Sequence, residues 1–210
     1  MKIKIKIDKN IYTFIPEFNI VAYRIKFKDK DYNKVQELLF SLKLNYSNPL
    51  DIPKVKETRD IYKKIGVDPS HTRCSVEALD RRLIKQNLYT INSVVDLGNI
   101  LSIMTQRSVC VVDYNKLKGD VLIRLGQDGE RVDAINRSSI NMKGIVCYID
   151  DEGIFGSTTS DSERTKVENN TLEVLVMVIC FSKQEDENEK LLDLFNNYLY
   201  IEEMNQILTE

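Results

Sequence analysis

The stretch Ile91-Asn-Ser-Val-Val-Asp-Leu-Gly-Asn-Ile-Leu-Ser-Ile-Met-Thr-Gln-Arg-Ser-Val-Cys-Val-Val-Asp113 contains a change of period. Over residues 93–104, Val94, Leu97 and Leu101 recur at helical spacing, while Asp96, Asn99 and Ile103 lie along a second stripe. From Ser108 the pattern becomes a short β-branched run ending at Asp113. On the N-terminal side two more helices are expected, at 54–65 and 75–87. The first stops at Gly66 and the second opens at Ser75 with Glu77 and Asp80 in its first turns. On the C-terminal side the chain turns to strands at 108–113, 121–125, 131–135, 144–149, 154–157 and 172–181, separated by Asp, Asn and Gly. Helices in one block and strands in another do not make alternating βαβ units. The pattern points to a layered α+β domain, with the three helices on a sheet built largely from 108–181.

The flanks extend this plan. Ile3, Ile5 and Ile7 alternate with lysines, as in a half-buried edge strand. A second strand is expected near 18–27 and a helix at 31–43. Ser182-Lys-Gln-Glu185 has the form of a capping box opening a C-terminal helix that runs to about Leu199. With 210 residues, 42% hydrophobic and 30% charged, the chain is read as a single domain over 1–210 and not as a disordered tail. No apolar run reaches about 18 residues, so no membrane span or membrane partner is expected, and the protein is placed in the cytoplasm.

Several chemistries are excluded or weakened. Cys74, Cys110, Cys147 and Cys180 are each more than 30 residues apart, and three of them sit in apolar runs. They read as reduced core residues and not as metal ligands. His71, the only histidine, lies in a polar loop and reads as solvated, so two-histidine mechanisms are excluded. No phosphate-loop glycine motif and no G-x-S-x-G elbow occurs. No cofactor or metal is expected. Asp150-Asp151-Glu152 reads as a turn between strands, and Arg124 with Glu130 as an ion pair across a hairpin. Charge is uneven: 15 basic and 8 acidic residues in 1–64, against 4 and 14 in 151–210. That asymmetry suits a basic face for phosphates, although a net charge of −2 is unlike a dedicated DNA binder.

Three motif groups follow one another in order. They are Arg59-x-x-Tyr62-x-x-x-Gly66-x-Asp68-Pro69, Arg73-x-Ser75-x-Glu77-Ala78-Leu79-x-Arg81-Arg82, and Ile91-Asn92-x-Val94-Val95-Asp96-x-x-Asn99. Val112-Asp113, Gly119 and Arg124-x-x-x-x-Gly129-Glu130 come after them. The series resembles the editing, or tRNA-binding, domain of the phenylalanyl-tRNA synthetase β subunit, specifically its free-standing relatives. The likeness spans about 59–175, with 1–50 and 183–210 assigned loosely. It implies a three-layer sandwich of two sheets and a helical layer, with tRNA or aminoacyl-tRNA as partner.

In the full synthetase this module hydrolyses tyrosine misattached to the phenylalanine tRNA. If this chain is an enzyme, the resemblance makes it an aminoacyl-tRNA deacylase acting in trans and not a ligase. A binder of free amino acids or their derivatives, and a non-enzymatic interaction module, remain alternatives.

An editing pocket that selects a hydroxyl needs polar groups left unpaired by the analogue lacking it. Asp96, Asn99, Cys110, Asp113, Arg124 and Glu130 form the substrate-binding set that the resemblance implies. Arg59, Arg73 and Arg82 form the tRNA or anion set. Asp96 and Asn99 are expected to meet Arg124 and Glu130 at one cleft. Counting without gaps from Asp96 to Asp113, the family's histidine falls on Cys110 and its threonine on Gly98. A thiol in an apolar strand is a poor nucleophile or base, so weak hydrolysis is expected.

Overall fold

In the computed structural model, which describes residues 3–135 and 138–210, the apolar runs of the second half become strands of two stacked sheets. The elements are β1 (Ile5–Ile7), α1 (Ile11–Phe14), β2 (Asn19–Lys30), α2 (Tyr32–Ser41), α3 (Pro53–Lys64), α4 (Ser75–Ile84), α5 (Ser93–Thr105), β3 (Ser108–Asp113), β4 (Val121–Leu125), β5 (Arg131–Val132), β6 (Ile140–Asn141), β7 (Val146–Asp150), β8 (Gly153–Ser157), β9 (Glu173–Cys180), α6 (Glu187–Tyr198) and β10 (Leu199–Gln206). One sheet has the order β1-β4-β7-β8 and the other β10-β2-β9-β3, while β5 and β6 form a small separate hairpin. All pairings are antiparallel except β1 with β4.

Two cores explain the layers. Between the sheets, Ile20, Ala22, Cys110, Val112, Leu175 and Met177 pack on Val121, Ile123, Tyr148 and Phe155. On the other face of the second sheet, Val21, Ile25, Val111, Val174 and Val176 pack on Val35 and Leu39 of α2, Leu97 and Leu101 of α5, and Leu191 and Phe195 of α6. A sheet covered on both faces needs apolar residues on both, which is why β9 (Glu-Val-Leu-Val-Met-Val-Ile-Cys) shows no alternation. The result is the expected α+β three-layer sandwich.

Helix α5 lies very close to β3: a Cβ on Gly98 would stand 2.4 Å from Val111 Cγ2. Gly98 is therefore a packing requirement of this chain, since only a residue without a side chain fits between helix and strand.

The structure departs from the expectations in four places. The second sheet takes half its strands, β2 and β10, from outside 108–181. Helices α3 and α4 do not join the helical layer fully; Ile61, Tyr62 and Val76 enter the inter-sheet core, so these two helices also close one end of the sandwich. The capping box at Ser182 does not form. Ser182 Oγ instead donates to Glu57 and accepts from Arg107, and α6 begins at Glu187. The C-terminal helix ends at Tyr198, and 199–206 is a strand whose register shifts break the alternation that would have announced it. Met1 and Lys2 of the alternating N-terminal run lie outside the described residues, as do 136 and 137 beyond the shortened β5.

Candidate functional site

The six residues of the expected substrate set do not converge. Asp96 is fully buried in the first turns of α5, where its carboxylate accepts the Ile91 N–H at 3.0 Å while Asn92 caps Val94 and Val95. Burial pushes its pKa up to about 6. This is a helix start, closed on itself. Asn99 is half-buried on the same helix. Asp113 accepts from the Asn115 N–H at 3.0 Å and the Thr171 hydroxyl at 2.8 Å, which ties down the turn after β3. Cys110 is 1% exposed and faces the inter-sheet core.

Arg124 and Glu130 form the paired arrangement anticipated for them, bidentate at 2.8 and 2.6 Å. Their hydrogen bonds hold Arg124 above and Glu130 below their ordinary pKa values. On β4, Val121 and Ile123 point into the inter-sheet core, so Arg124 shares the outer face with the exposed Leu122. Asp96 and Asn99 lie in the helical layer and Arg124 and Glu130 on the outside of the opposite sheet. The whole second sheet stands between them, and the common cleft expected for these four residues does not exist.

The arginine set fares differently. Arg82 leaves the others and lies over the Tyr89 ring, 5.3 Å from its centroid. Arg59 and Arg73 meet at Glu77, whose side chain is wholly buried at the start of α4. Arg59 Nη1 donates to both Glu77 oxygens, at 3.2 and 3.0 Å, and to the Pro69 carbonyl. Arg81 donates to Glu77 Oε1 through Nε and Nη2, at 3.1 and 2.9 Å. Arg73 Nε stands 3.8 Å from the same oxygen, with half of its side chain exposed.

Arg73 opens onto a cavity of about 400 Å³ lined by His71, Thr72, Arg73, Ala78, Ser138, Ser139, Ile140 and Thr159. The loop before α4 forms one wall, the β5–β6 hairpin a second, and the turn after β8 a third. That turn is well anchored. Ser75 N–H donates to the Thr158 carbonyl at 2.8 Å, and Tyr62 Oη lies 2.6 Å from Thr158 Oγ1. Among the described residues, the lining holds one guanidinium, one imidazole and four hydroxyls, and no carboxylate.

His71, read as a solvated loop residue, is indeed largely exposed, 3.7 Å from Asp68, yet it forms part of this wall. Thr72, Ala78, Ser138, Ser139, Ile140 and Thr159 were not anticipated. The available signal was two hydroxyl clusters between strands, Ser138-Ser139 and Ser157-Thr-Thr-Ser160.

Deeper under the same turn, the Asp161 carboxyl hydrogen-bonds the Cys110 thiol. Burial drives Asp161 up to about 7 and Cys110 well above its ordinary value. The Tyr148 hydroxyl nearby is buried and has no hydrogen-bond partner among the described residues. Among those residues no group of three or more His, Cys, Asp or Glu could hold a metal ion, and no helix is long and apolar enough to cross a membrane.

The architecture defines an α+β sandwich domain, with a cavity beside α4 that carries one guanidinium and several hydroxyls. A family model, the B3/4 domain, matches residues 57–195. The chain belongs to the B3/4 domain family. It is 31% identical over 123 residues to the phenylalanine–tRNA ligase β subunit of Bartonella quintana, which covers 58% of this chain and 14% of that protein. It is 32% identical over 109 residues to the β subunit of Bradyrhizobium diazoefficiens, covering 49% and 13%. The chain thus spans about one seventh of the length of these curated relatives. An N-terminal fragment of the phenylalanyl-tRNA synthetase β subunit of Pyrococcus horikoshii superposes with a TM-score of 0.55 at 11% identity. That superposition covers the whole of this chain and 52% of the fragment, a likeness of fold.

Proposed function

We propose that this domain binds the acylated 3′ end of a tRNA in the cavity between the 71–78 segment, the β5–β6 hairpin and Thr159, and hydrolyses it weakly or not at all. The observation that carries the reading is the lining, which among the described residues offers one guanidinium, one imidazole and four hydroxyls without a carboxylate. A single-stranded RNA end offers phosphates, which arginine binds as a planar fork, and ribose hydroxyls, which pair with serine and threonine. An acid in the wall would repel the phosphates. The kinship with phenylalanine–tRNA ligase β subunits points to the same class of partner.

The weak-hydrolysis part rests on Cys110, the residue at the position that the resemblance gives to the family's histidine, which lies in the inter-sheet core and not in the cavity lining. It is buried, and desolvation together with the Asp161 carboxyl beside it pushes its thiol well above the ordinary value, which disfavours a thiolate. The test is a deacylation panel: purified protein with mischarged tRNAs, tyrosine-charged phenylalanine tRNA first, against a no-protein control. Tyrosine release should match the control while the charged tRNA is retained on a filter with a steep salt dependence. Release at enzymatic rates, undiminished in Cys110→Ala, overturns the hydrolysis claim. Absence of binding at low salt overturns the tRNA reading, and saturable uptake of a free amino acid in that case points to the small-ligand alternative.

A further inference from the structure

We propose that Arg73 is an oxyanion subsite of this cavity, a guanidinium kept unsatisfied and aimed at the ligand because Arg59 and Arg81 already neutralise the buried Glu77. The assignment deepens the reading above and shares its cavity. A buried carboxylate must be paired, and one well-placed cation suffices. Glu77 has two that bind it through four hydrogen bonds of 2.9–3.2 Å. Arg73 is a third cation that the carboxylate does not need. It comes no closer than 3.8 Å, makes no hydrogen bond among the described residues, and forms part of the cavity wall.

The surroundings support a surplus of positive charge at this point. Arg59, Arg73 and Arg81 converge on one carboxylate. Asp68, the acid beside His71, is exposed to solvent, and Asp80 is turned away to Gln106. Ser138, Ser139, Thr72 and Thr159 add hydroxyls around Arg73. Planar donors with adjacent hydroxyls suit a tetrahedral or planar oxyanion: an RNA phosphodiester, or the carboxylate of a free amino acid. Arg59, by contrast, is a brace. Both its carboxylate contacts and its bond to the Pro69 carbonyl are internal.

The experiment uses the whole chain, 15N-labelled, and reads the Arg73 side-chain Nε–H resonance during titration with inorganic pyrophosphate. In parallel, anisotropy measures binding of a 5′-labelled single-stranded RNA ending in CCA to the wild type, Arg73→Gln, Arg73→Lys and the control Lys190→Gln, which lies on α6 outside the cavity lining. Pyrophosphate is expected to shift the Arg73 resonance. Arg73→Gln should weaken RNA binding about tenfold, the value of one charged hydrogen-bonded contact, and reduce the salt slope by about 0.7. Arg73→Lys should keep the slope and lose part of the affinity, because it retains charge without the fork. Lys190→Gln should change neither.

An unmoved resonance together with unchanged RNA affinity in Arg73→Gln overturns the subsite, even where tRNA binding itself stands. A shifted resonance with no RNA binding keeps the subsite and rejects the RNA partner. Titration with phenylalanine or tyrosine then shows whether a carboxylate is the natural oxyanion.

Discussion

Replacing Glu77 by glutamine keeps the shape of α4 and removes the charge on which three arginines converge. The carboxylate is completely buried and receives four hydrogen bonds from Arg59 and Arg81, with Arg73 at 3.8 Å. Glutamine leaves one acceptor oxygen and turns an amide donor toward a guanidinium. Breaking a buried pair by removing one partner costs about 3–5 kcal/mol. Here Arg59 and Arg81 are 20% and 33% exposed and can recover some hydration, which selects the lower end, about 3 kcal/mol. For a chain of this length that is about 6–12 °C in melting temperature. Urea unfolding followed by circular dichroism should show the midpoint falling at constant slope, with little dependence on salt because the group is buried. Arg59→Ala should cost less, since Arg81 still neutralises the carboxylate. A loss below about 1 kcal/mol in Glu77→Gln would refute the claim that Glu77 organises this corner of the fold.

The Asp161 carboxyl has its folded pKa raised to about 7 by burial, against an ordinary 3.8. Its contribution is therefore fully present below about pH 4 and is lost as pH rises through about 7, with a slope of up to about 1.4 kcal/mol per pH unit. Asp161→Asn should flatten the urea midpoint between pH 4.5 and 7 relative to wild type, and parallel curves would sink the assignment. Gly98→Ala would stabilise an exposed helix by about 1 kcal/mol, but its Cβ would stand 2.4 Å from Val111 Cγ2 and overpack the site by about 1–3 kcal/mol. A net loss of up to about 2 kcal/mol is expected, largely relieved by Val111→Ala. A double-mutant cycle with no coupling would show that helix and strand are not packed as described.

Much of the fold was readable because its signals are local. Helices α3, α4 and α5 fall within a few residues of the positions their stripes and caps announce, and β3, β4, β7, β8 and β9 follow the short β-branched runs. Strand β10 was not readable, because its register shifts scatter Leu199, Ile201 and Met204 off a strict alternation. Ser182 carried a valid capping pattern and lost it to Arg107 and Glu57, partners 75 and 125 residues away in the chain. The same competition removed the expected site. Asp96 has the right chemistry for a pocket, but the Ile91 amide five residues away claims it.

The sequence by itself determined the α+β class, the order of helices and strands, the family motifs, the internal pairing of Arg124 with Glu130 and the buried character of the four cysteines. These depend on period, spacing and composition, which are properties of neighbours in the chain. Only the tertiary structure decided which sheet each strand joined, and hence that Asn99 and Glu130 lie on opposite sides of one sheet. It also decided that Arg59, Arg73 and Arg81 share one buried carboxylate, and that hydroxyls from 72, 138, 139 and 159 meet beside Arg73. Such a site forms from segments brought together by burying apolar surface in two cores. Its geometry is set by long-range packing, for which no single stretch of the chain carries a signal.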